Sequence, residues 1–261
     1  MIRFGIAFWT IFYINVGFSS PNNIDVAVQY LKDEKCDKAL HELNSKTLAN
    51  TPDIQYLRAF MHYDGICVKR DYSKSIDAFA AEAKNGDVDA QAALGIIFLY
   101  GGYEIADYDK ALELNSIAAK KKHATATIAL AMMYAQGRGV NNDYVKINEL
   151  LTPLAFDEND AEAQYFLASL YLHGWSVKQD IKKAVELLKE SALSGQGCSA
   201  AVLSRLYDEG DILKKDAVKA EYWWNEKKKS GCESASTPGP IIRKRISIIF
   251  RKKFGLYPDD T

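Results

Sequence analysis

Residues 163–184 read AQYFLASLYLHGWSVKQDIKKA, and their spacing predicts two helices joined by a glycine-containing loop. In the first half, small and large apolar residues recur at i, i+4, i+5 and i+8, so they share one helical face. Gly174 is able to adopt the positive φ that ends a helix. Asp180 stands three residues before Lys183, where the N-cap of the second helix belongs. The stretch therefore predicts a helical hairpin.

This hairpin pattern recurs five times along the chain with a period of 36 or 37 residues. The glycine that ends the first helix recurs at Gly65, Gly101, Gly137, Gly174 and Gly210. The capping aspartate follows six residues later, at Asp71, Asp107, Asp143, Asp180 and Asp216. An aromatic residue precedes the glycine by three positions in four repeats, and a small residue precedes it by six in all five. Since a single hairpin cannot bury its own apolar face, the repeats are predicted to stack into an all-α array.

The pattern A-x₃-L-[GA]-x₂-Y-x₂-G-x₂-V-x₂-D-x₂-K-A, which residues 163–184 follow, resembles the Sel-one-like repeat (SLR), a relative of the tetratricopeptide repeat. The resemblance covers about residues 51–235. It implies a right-handed α-solenoid in which the first helix of each hairpin, the A helix, lines the concave face. The repeats are predicted at about residues 51–86, 87–122, 123–159, 160–195 and 196–235. Tyr30 and the pair Lys38-Ala39 keep the same phase, so residues 20–50 are predicted to form a degenerate capping hairpin.

The N-terminus predicts export across a membrane. A single basic residue, Arg3, is followed by fifteen uncharged residues and then by small residues at Gly17 and Ser19. This order is typical of a secretory signal, so residues 1–19 are predicted to be a cleaved signal peptide. An uncleaved N-terminal anchor is the alternative, because the segment carries only one positive charge.

Export would place the four cysteines in an oxidising compartment, where pairing is expected. In the solenoid that the resemblance implies, Cys198 at the start of the last A helix lies beside Cys232 at the end of the last B helix. Cys36 and Cys67 lie in loops of consecutive units. We therefore expect the pairs Cys198–Cys232 and Cys36–Cys67. No C-x-x-C or His-x₃₋₅-His spacing is present, so no metal site is predicted.

The C-terminal residues 236–261 break the repeat and are predicted to form a basic helix or tail. They contain two acidic residues and six basic ones, Arg243, Lys244, Arg245, Arg251, Lys252 and Lys253. One interpretation is a closing helix that covers the last repeat. The other is a surface that contacts an anionic membrane or an acidic partner.

Neither catalysis nor nucleic-acid binding is predicted. The four histidines occupy unrelated positions in different units, and no G-x-S-x-G or phosphate-loop pattern occurs. A net charge of −1 gives no overall basic field, so nucleic acid is not an expected partner. No catalytic residue and no cofactor are predicted. Tyr56 and Tyr165 share one variable A-helix position and are candidate anchors for a protein partner, or else they pack on neighbouring helices.

We therefore expect an exported, non-enzymatic α-solenoid, periplasmic or secreted, that acts as a scaffold or adaptor. It would bind another protein through the concave face of its helical repeats. The resemblance to exported SLR proteins implies three roles: an adaptor in an envelope assembly, a host-interaction factor, or a periplasmic immunity protein against a secreted toxin. Two alternatives come from the same resemblance. One is a hydrolase of the cysteine-rich SLR type, related to β-lactams or the cell wall. The other is a luminal adaptor in a eukaryotic secretory pathway.

Overall fold

The computed structural model describes residues 23–45, 51–100, 106–230, 232 and 249. Within these residues the regular structure consists of twelve α-helices. The predicted signal peptide, residues 1–19, lies outside the described residues. So do Gly101 and the predicted basic tail, apart from Ile249, which is helical and buried. The chain divides into two compact units, Met1–Ile54 and Gln55–Thr261.

The first unit contains two helices that pack against each other, α1 (Asn23–Lys32) and α2 (Cys36–Leu43). Their buried side chains are small or aliphatic, and they include Ala27 and Val28 on α1 and Leu43 on α2. The two helices fall within the predicted capping hairpin of residues 20–50. The role of this hairpin as a cap stays a prediction.

Five helix pairs follow, and the boundary between the two units falls inside the first turn of the first of these helices. The A helices are α3 (Pro52–Asp64), α5 (Val88–Tyr100), α7 (Ala124–Gln136), α9 (Ala161–His173) and α11 (Gly197–Glu209). The B helices are α4 (Tyr72–Lys84), α6 (Tyr108–Lys120), α8 (Tyr144–Phe156), α10 (Ile181–Leu193) and α12 (Ala217–Ser230). From α4 to α12 each helix packs on the next one along the chain. The predicted all-α solenoid of stacked hairpins is therefore confirmed.

The A and B helices differ in how they are buried. In α5 every residue from Ala90 to Ile97 is buried, because neighbouring helices surround this helix on all sides. The B helix α10 instead buries one stripe, which includes Leu187 and Leu188, and exposes the opposite face. The apolar core therefore runs along the A helices, while the B helices supply its outer layer.

One glycine of an A helix is required by a close approach between helices. Gly95 in α5 lies against the side chain of Asn115 in α6, which is fully buried. A Cβ atom at residue 95 would lie 2.7 Å from the Asn115 Oδ1 atom. This contact explains why the small residue of this repeat is glycine rather than alanine.

The repeated glycine ends A helices and the repeated aspartate begins B helices. Gly137, Gly174 and Gly210 end α7, α9 and α11 in the left-handed conformation, and Gly65 also has a positive φ. The five aspartates each accept a hydrogen bond of 2.9–3.1 Å from the backbone amide three residues later: Asp71, Asp107, Asp143, Asp180 and Asp216. These are N-cap bonds, which satisfy an amide that has no partner within the helix.

Candidate protein-binding surface

In three repeats the capping aspartate also forms an ion pair with the repeated lysine: Asp71 with Lys74, Asp107 with Lys110, and Asp216 with Lys219. The Lys110 ammonium lies 2.9 Å from the Asp107 carboxylate, and the Lys219 ammonium lies 2.8 Å from that of Asp216. These side-chain hydrogen bonds, with the N-cap amide bonds, hold the pKa of both carboxyls below the ordinary value. The pKa of Asp71 is also lowered, chiefly by its backbone N-cap bond. The recurring acids therefore have structural partners and do not form carboxylate dyads.

The repeated lysine also lies over the aromatic ring that precedes the glycine. The ammonium-to-centroid distances are 5.1 Å for Lys110 and Phe98, 4.3 Å for Lys183 and Tyr171, and 5.3 Å for Lys219 and Tyr207. These distances are within the range of a cation–π interaction. The repeated aromatic residue and the repeated lysine are twelve positions apart in the sequence, but the contact between them was not predicted.

Backbone hydrogen bonds between the capping aspartate and the repeated aromatic residue close the loop between the A helix and the B helix. The amide of the capping aspartate donates to the carbonyl of the residue three before the glycine, at 2.9 Å from Asp107 to Phe98 and 3.0 Å from Asp180 to Tyr171. His62 accepts the equivalent bond from Asp71 in the first repeat. Because the acceptor is a backbone carbonyl, this position tolerates the change from an aromatic residue to histidine.

The two candidate anchor tyrosines have different environments. Tyr56 is fully buried, and its ring meets that of Phe79 edge to face at 5.1 Å. Tyr56 is therefore a core residue, and the prediction that it anchors a partner is wrong. Tyr165 is half-buried and packs edge to face on Phe166 at 5.3 Å. Tyr165 thus keeps part of its surface available for contact.

The A helices become accessible at the C-terminal end of the array. In α5 and α7 the residues equivalent to Tyr165 and Phe166 are buried. In α9 and α11 the corresponding residues are Tyr165, Phe166 and Val202, all half-buried, and Arg205 is exposed one turn beyond Val202. We call this set the α9–α11 face. It combines aromatic, aliphatic and basic groups, which are common anchors in protein interfaces.

A second aromatic cluster lies on the loop edge of the array. The Trp175 ring stacks on Tyr144 at 5.0 Å and on His173 at 4.5 Å, and the Ser176 hydroxyl donates to the Tyr144 carbonyl at 2.8 Å. Tyr144, which follows the capping Asp143, is thus contacted by Trp175 and Ser176 in the loop of the next repeat. The Asp-Tyr pairs in three repeats were the sequence signal for this contact, which was not predicted.

One disulfide joins two helix ends in the last hairpin. The Cα atoms of Cys198 and Cys232 are 4.7 Å apart in a disulfide that links the start of α11 to the end of α12. The predicted Cys198–Cys232 pair is therefore confirmed. Cys36 and Cys67 are disulfide-bonded as well.

His123, which is paired with a carboxylate, lies at the start of a helix. The Nδ1 atom of His123 accepts the Ala126 amide at 3.2 Å, so His123 is the N-cap of α7. Its Nε2 atom lies 3.2 Å from the Asp89 carboxylate. Both ring nitrogens are engaged, and the arrangement orients the histidine rather than a reacting group.

Across residues 23–45, 51–100 and 106–230, no three or more His, Cys, Asp or Glu side chains come together in a way that would hold a metal ion. In the same ranges no helix has the length and apolar character needed to cross a bilayer.

Comparisons with known proteins agree with the fold. The family model for the Sel1 repeat matches residues 52–77, 88–123, 124–146, 161–196 and 199–226. A Sel1 repeat protein from Oxalobacter formigenes has a similar structure, with a TM-score of 0.71 and 22% identity over 90% of this chain and 91% of that one. The structure is also similar to c5321, a protective antigen present in uropathogenic Escherichia coli strains displaying an SLR fold. Here the TM-score is 0.68 with 18% identity, over 92% of this chain and 50% of that one.

A search of curated proteins found no match. At the identities above, the structural likeness shows the fold alone. Sel1 repeats generally mediate protein–protein interaction and are generally non-enzymatic. The matched segments cover more than half of the residues. This protein therefore belongs to the Sel1 repeat family.

Proposed function

We propose that this protein is an exported, non-enzymatic scaffold that binds another protein through the A-helix side of its solenoid. The α9–α11 face carries this proposal. Here aromatic, aliphatic and basic groups remain accessible, at a helix position whose equivalents in α5 and α7 are buried. A partner would therefore contact the C-terminal repeats rather than the whole length of the array.

The packing of this face suits a binding role. Tyr165 and Phe166 contact each other edge to face, so their rings are held in place before a partner arrives. The Ser169 hydroxyl donates to the Tyr165 carbonyl at 3.3 Å one turn further along the helix. Rings that are already ordered lose less conformational entropy on binding than free ones do.

Export is supported by two independent features. The N-terminal residues 1–19 have the order of a secretory signal. All four cysteines are disulfide-bonded, which is expected in a periplasmic or extracellular compartment and is rare in the cytosol. We therefore infer a periplasmic or secreted location.

Site-specific photo-crosslinking in the living source cell tests the proposal. A benzophenone amino acid replaces Phe166 in one variant and Val145 in a matched control. Val145 lies on the B helix α8 and is exposed, so the probe there samples the opposite layer of the array. We expect one discrete crosslinked protein from position 166 and none of the same mass from position 145.

Two results would contradict the proposal. One is the absence of any crosslink from position 166, from Val202 and from Arg205 in correctly exported protein. The other is the same crosslinked species from position 145 and position 166. Identification of the crosslinked partner by mass spectrometry separates an envelope adaptor from an immunity role, since the latter requires that the partner be a secreted toxin.

A further inference from the structure

In the inner repeats, each B helix turns a defined face toward the following A helix. On α10 this face includes Leu188 and Ala192, which are both buried. The Ser191 hydroxyl lies 2.7 Å from the hydroxyl of Ser199 in α11, which shows that the face meets the next A helix directly. Residues at these positions are therefore buried, whatever their type, because another helix covers them.

On α12 the same face carries different residues. One period of 36 residues after Leu188, Ser191 and Ala192 come Trp224, Lys227 and Lys228. Trp224 is 46% exposed, although its equivalents in α4, α6, α8 and α10 are all buried. We call Trp224, Lys227 and Lys228 the α12 outer face, because residues at i, i+3 and i+4 share one side of a helix.

Positive charge surrounds the exposed indole ring. The Lys227 ammonium lies 4.3 Å from the centre of the Trp224 ring and the Lys228 ammonium lies 5.6 Å from it. The neighbouring Lys229 is paired with Glu226 at 2.6 Å. The face is thus an aromatic surface with two ammonium groups at its rim.

This charge selects among the occupants that could cover the face. A second copy of α12 laid parallel to the first would bring the same lysines together, and like charges repel. Glu221, one period after the buried Val185, is an exposed acidic residue at the start of this face. The C-terminal residues 236–261 carry six basic and two acidic residues, so they would add positive charge to positive charge. Ile249, the described residue of that segment, is buried while Trp224 stays half-exposed. An occupant with acidic side chains would avoid this repulsion and could pair with Lys227 and Lys228.

We propose that the α12 outer face docks an acidic amphipathic helix of a partner protein, in the place that a further A helix would take. Apolar side chains of that helix lie on Trp224, and its Asp or Glu residues pair with Lys227 and Lys228. Helix-in-groove recognition of this kind uses anchors at i, i+3, i+4 and i+7. The site is separate from the α9–α11 face, and its test does not depend on the function proposed above.

The test uses residues 20–261 with disulfides intact and two synthetic 14-residue peptides. Both peptides have leucine at i, i+3, i+4 and i+7; one carries glutamate at the other positions and the other carries lysine. Binding is measured by isothermal titration calorimetry at about 50 mM and again at about 300 mM salt, because ionic pairing weakens as salt screens it. We expect the glutamate peptide to bind at least tenfold more tightly at low salt, with a smaller difference at high salt.

Variants assign the binding to this face. Trp224→Ala and the double charge reversal Lys227→Glu/Lys228→Glu should each weaken binding of the glutamate peptide at least tenfold, as expected for a central aromatic anchor and its charged rim. Trp175→Ala is the matched control, because Trp175 is 42% exposed but lies on the loop edge. It should change binding less than twofold. Circular dichroism checks that each variant keeps its helices.

Three results would overturn the proposal. Equal binding of the two peptides would remove the charge argument. An equal effect of Trp224→Ala and Trp175→Ala would place the peptide elsewhere. Deletion of residues 241–261 that strengthens binding tenfold or more would show that this segment of the chain already occupies the face, whereas unchanged or weaker binding after the deletion supports an external partner.

Discussion

The Lys183 ammonium lies 4.3 Å from the centre of the Tyr171 ring and donates a hydrogen bond of 2.8 Å to the hydroxyl oxygen of the same side chain. One lysine thus makes two different contacts with one tyrosine across the loop between α9 and α10. The contact joins the repeated lysine to the aromatic residue that precedes the glycine by three positions. It gives this lysine a role in holding its hairpin closed.

Tyr171→Phe and Lys183→Met separate these two contacts. The first variant removes the hydroxyl acceptor and keeps the ring, so we expect it to lower the free energy of unfolding by about 0.5–1.5 kcal/mol. The second removes the charge as well, and a loss of about 1–2 kcal/mol is expected. Urea unfolding followed by circular dichroism measures both. Lys182→Met is the control, since that side chain is 88% exposed; equal losses for Lys182→Met and Lys183→Met would contradict the assignment.

The capping aspartates predict how stability depends on pH. The pKa values of Asp71, Asp107 and Asp216 are lowered in the folded protein by N-cap and lysine hydrogen bonds. A carboxyl with a lowered folded pKa stabilises the fold above its unfolded pKa, about 3.9, and loses that contribution as the pH falls through the folded pKa. Stability should therefore fall as the pH is lowered below about 5.

The double variant Asp107→Asn/Asp216→Asn tests this pH dependence. Asparagine keeps a capping oxygen but does not titrate. The decline in the free energy of unfolding between about pH 5 and pH 2 should be shallower in the variant than in the native sequence. Identical slopes from urea unfolding at each pH would refute the prediction.

Gly95→Ala is expected to destabilise the protein, against the usual trend for helices. Alanine in place of glycine inside a helix ordinarily stabilises by about 1 kcal/mol. Here the new Cβ atom would meet the buried Asn115 side chain at 2.7 Å, and overpacking costs about 1–3 kcal/mol. We expect a net loss of about 1–2 kcal/mol in thermal or urea unfolding.

A double-mutant cycle identifies the cause of that loss. Asn115→Ala removes the atoms that the new methyl group would meet. In the Asn115→Ala background, Gly95→Ala should therefore be neutral or stabilising. If Gly95→Ala destabilises equally in both backgrounds, the contact with Asn115 is not the reason.

The Cys198–Cys232 disulfide is expected to stabilise the end of the array. Its two residues are 34 positions apart. For a loop of this length the chain-entropy model gives a stabilisation of about 4 kcal/mol, and measured values are often lower. Cys198→Ala/Cys232→Ala should lower the free energy of unfolding accordingly and increase hydrogen exchange in α11 and α12.

Peptide mapping without reduction tests the connectivity of all four cysteines. We expect one linked peptide that contains Cys198 and Cys232 and another that contains Cys36 and Cys67. The second pair follows from the sequence-based prediction. Any linked peptide that joins Cys36 or Cys67 to Cys198 or Cys232 would refute it.

The N-terminus of the exported protein tests the prediction that residues 1–19 are a cleaved signal peptide. Cleavage after Ser19 makes Ser20 the first residue of the mature chain. Mass spectrometry of protein purified from the periplasm or the medium should find this terminus. A chain that keeps residues 1–19 and fractionates with the membrane would instead support the uncleaved anchor.

The hairpins could be predicted from the sequence because their signals are local. A glycine that ends one helix and an aspartate that starts the next act within a few residues, so Gly174 and Asp180 have the same roles in the structure as in the pattern. The Cys198–Cys232 pair was predictable for a related reason, since the two ends of an antiparallel hairpin always lie close together. The stacking of Trp175 on Tyr144 was harder to foresee, because it joins different repeats.

By itself, the sequence determined the period, the hairpins and their caps, because each of these depends on the backbone preferences of a few adjacent residues. The tertiary structure alone decided which side chains are accessible. Tyr56 and Tyr165 occupy the same position in their repeats, yet Tyr56 is buried against Phe79 and Tyr165 keeps part of its surface exposed. Burial depends on the residues that surround a side chain in space. In a solenoid those residues come from other helices, often of neighbouring repeats, so the candidate binding surface appears only after the repeats have stacked.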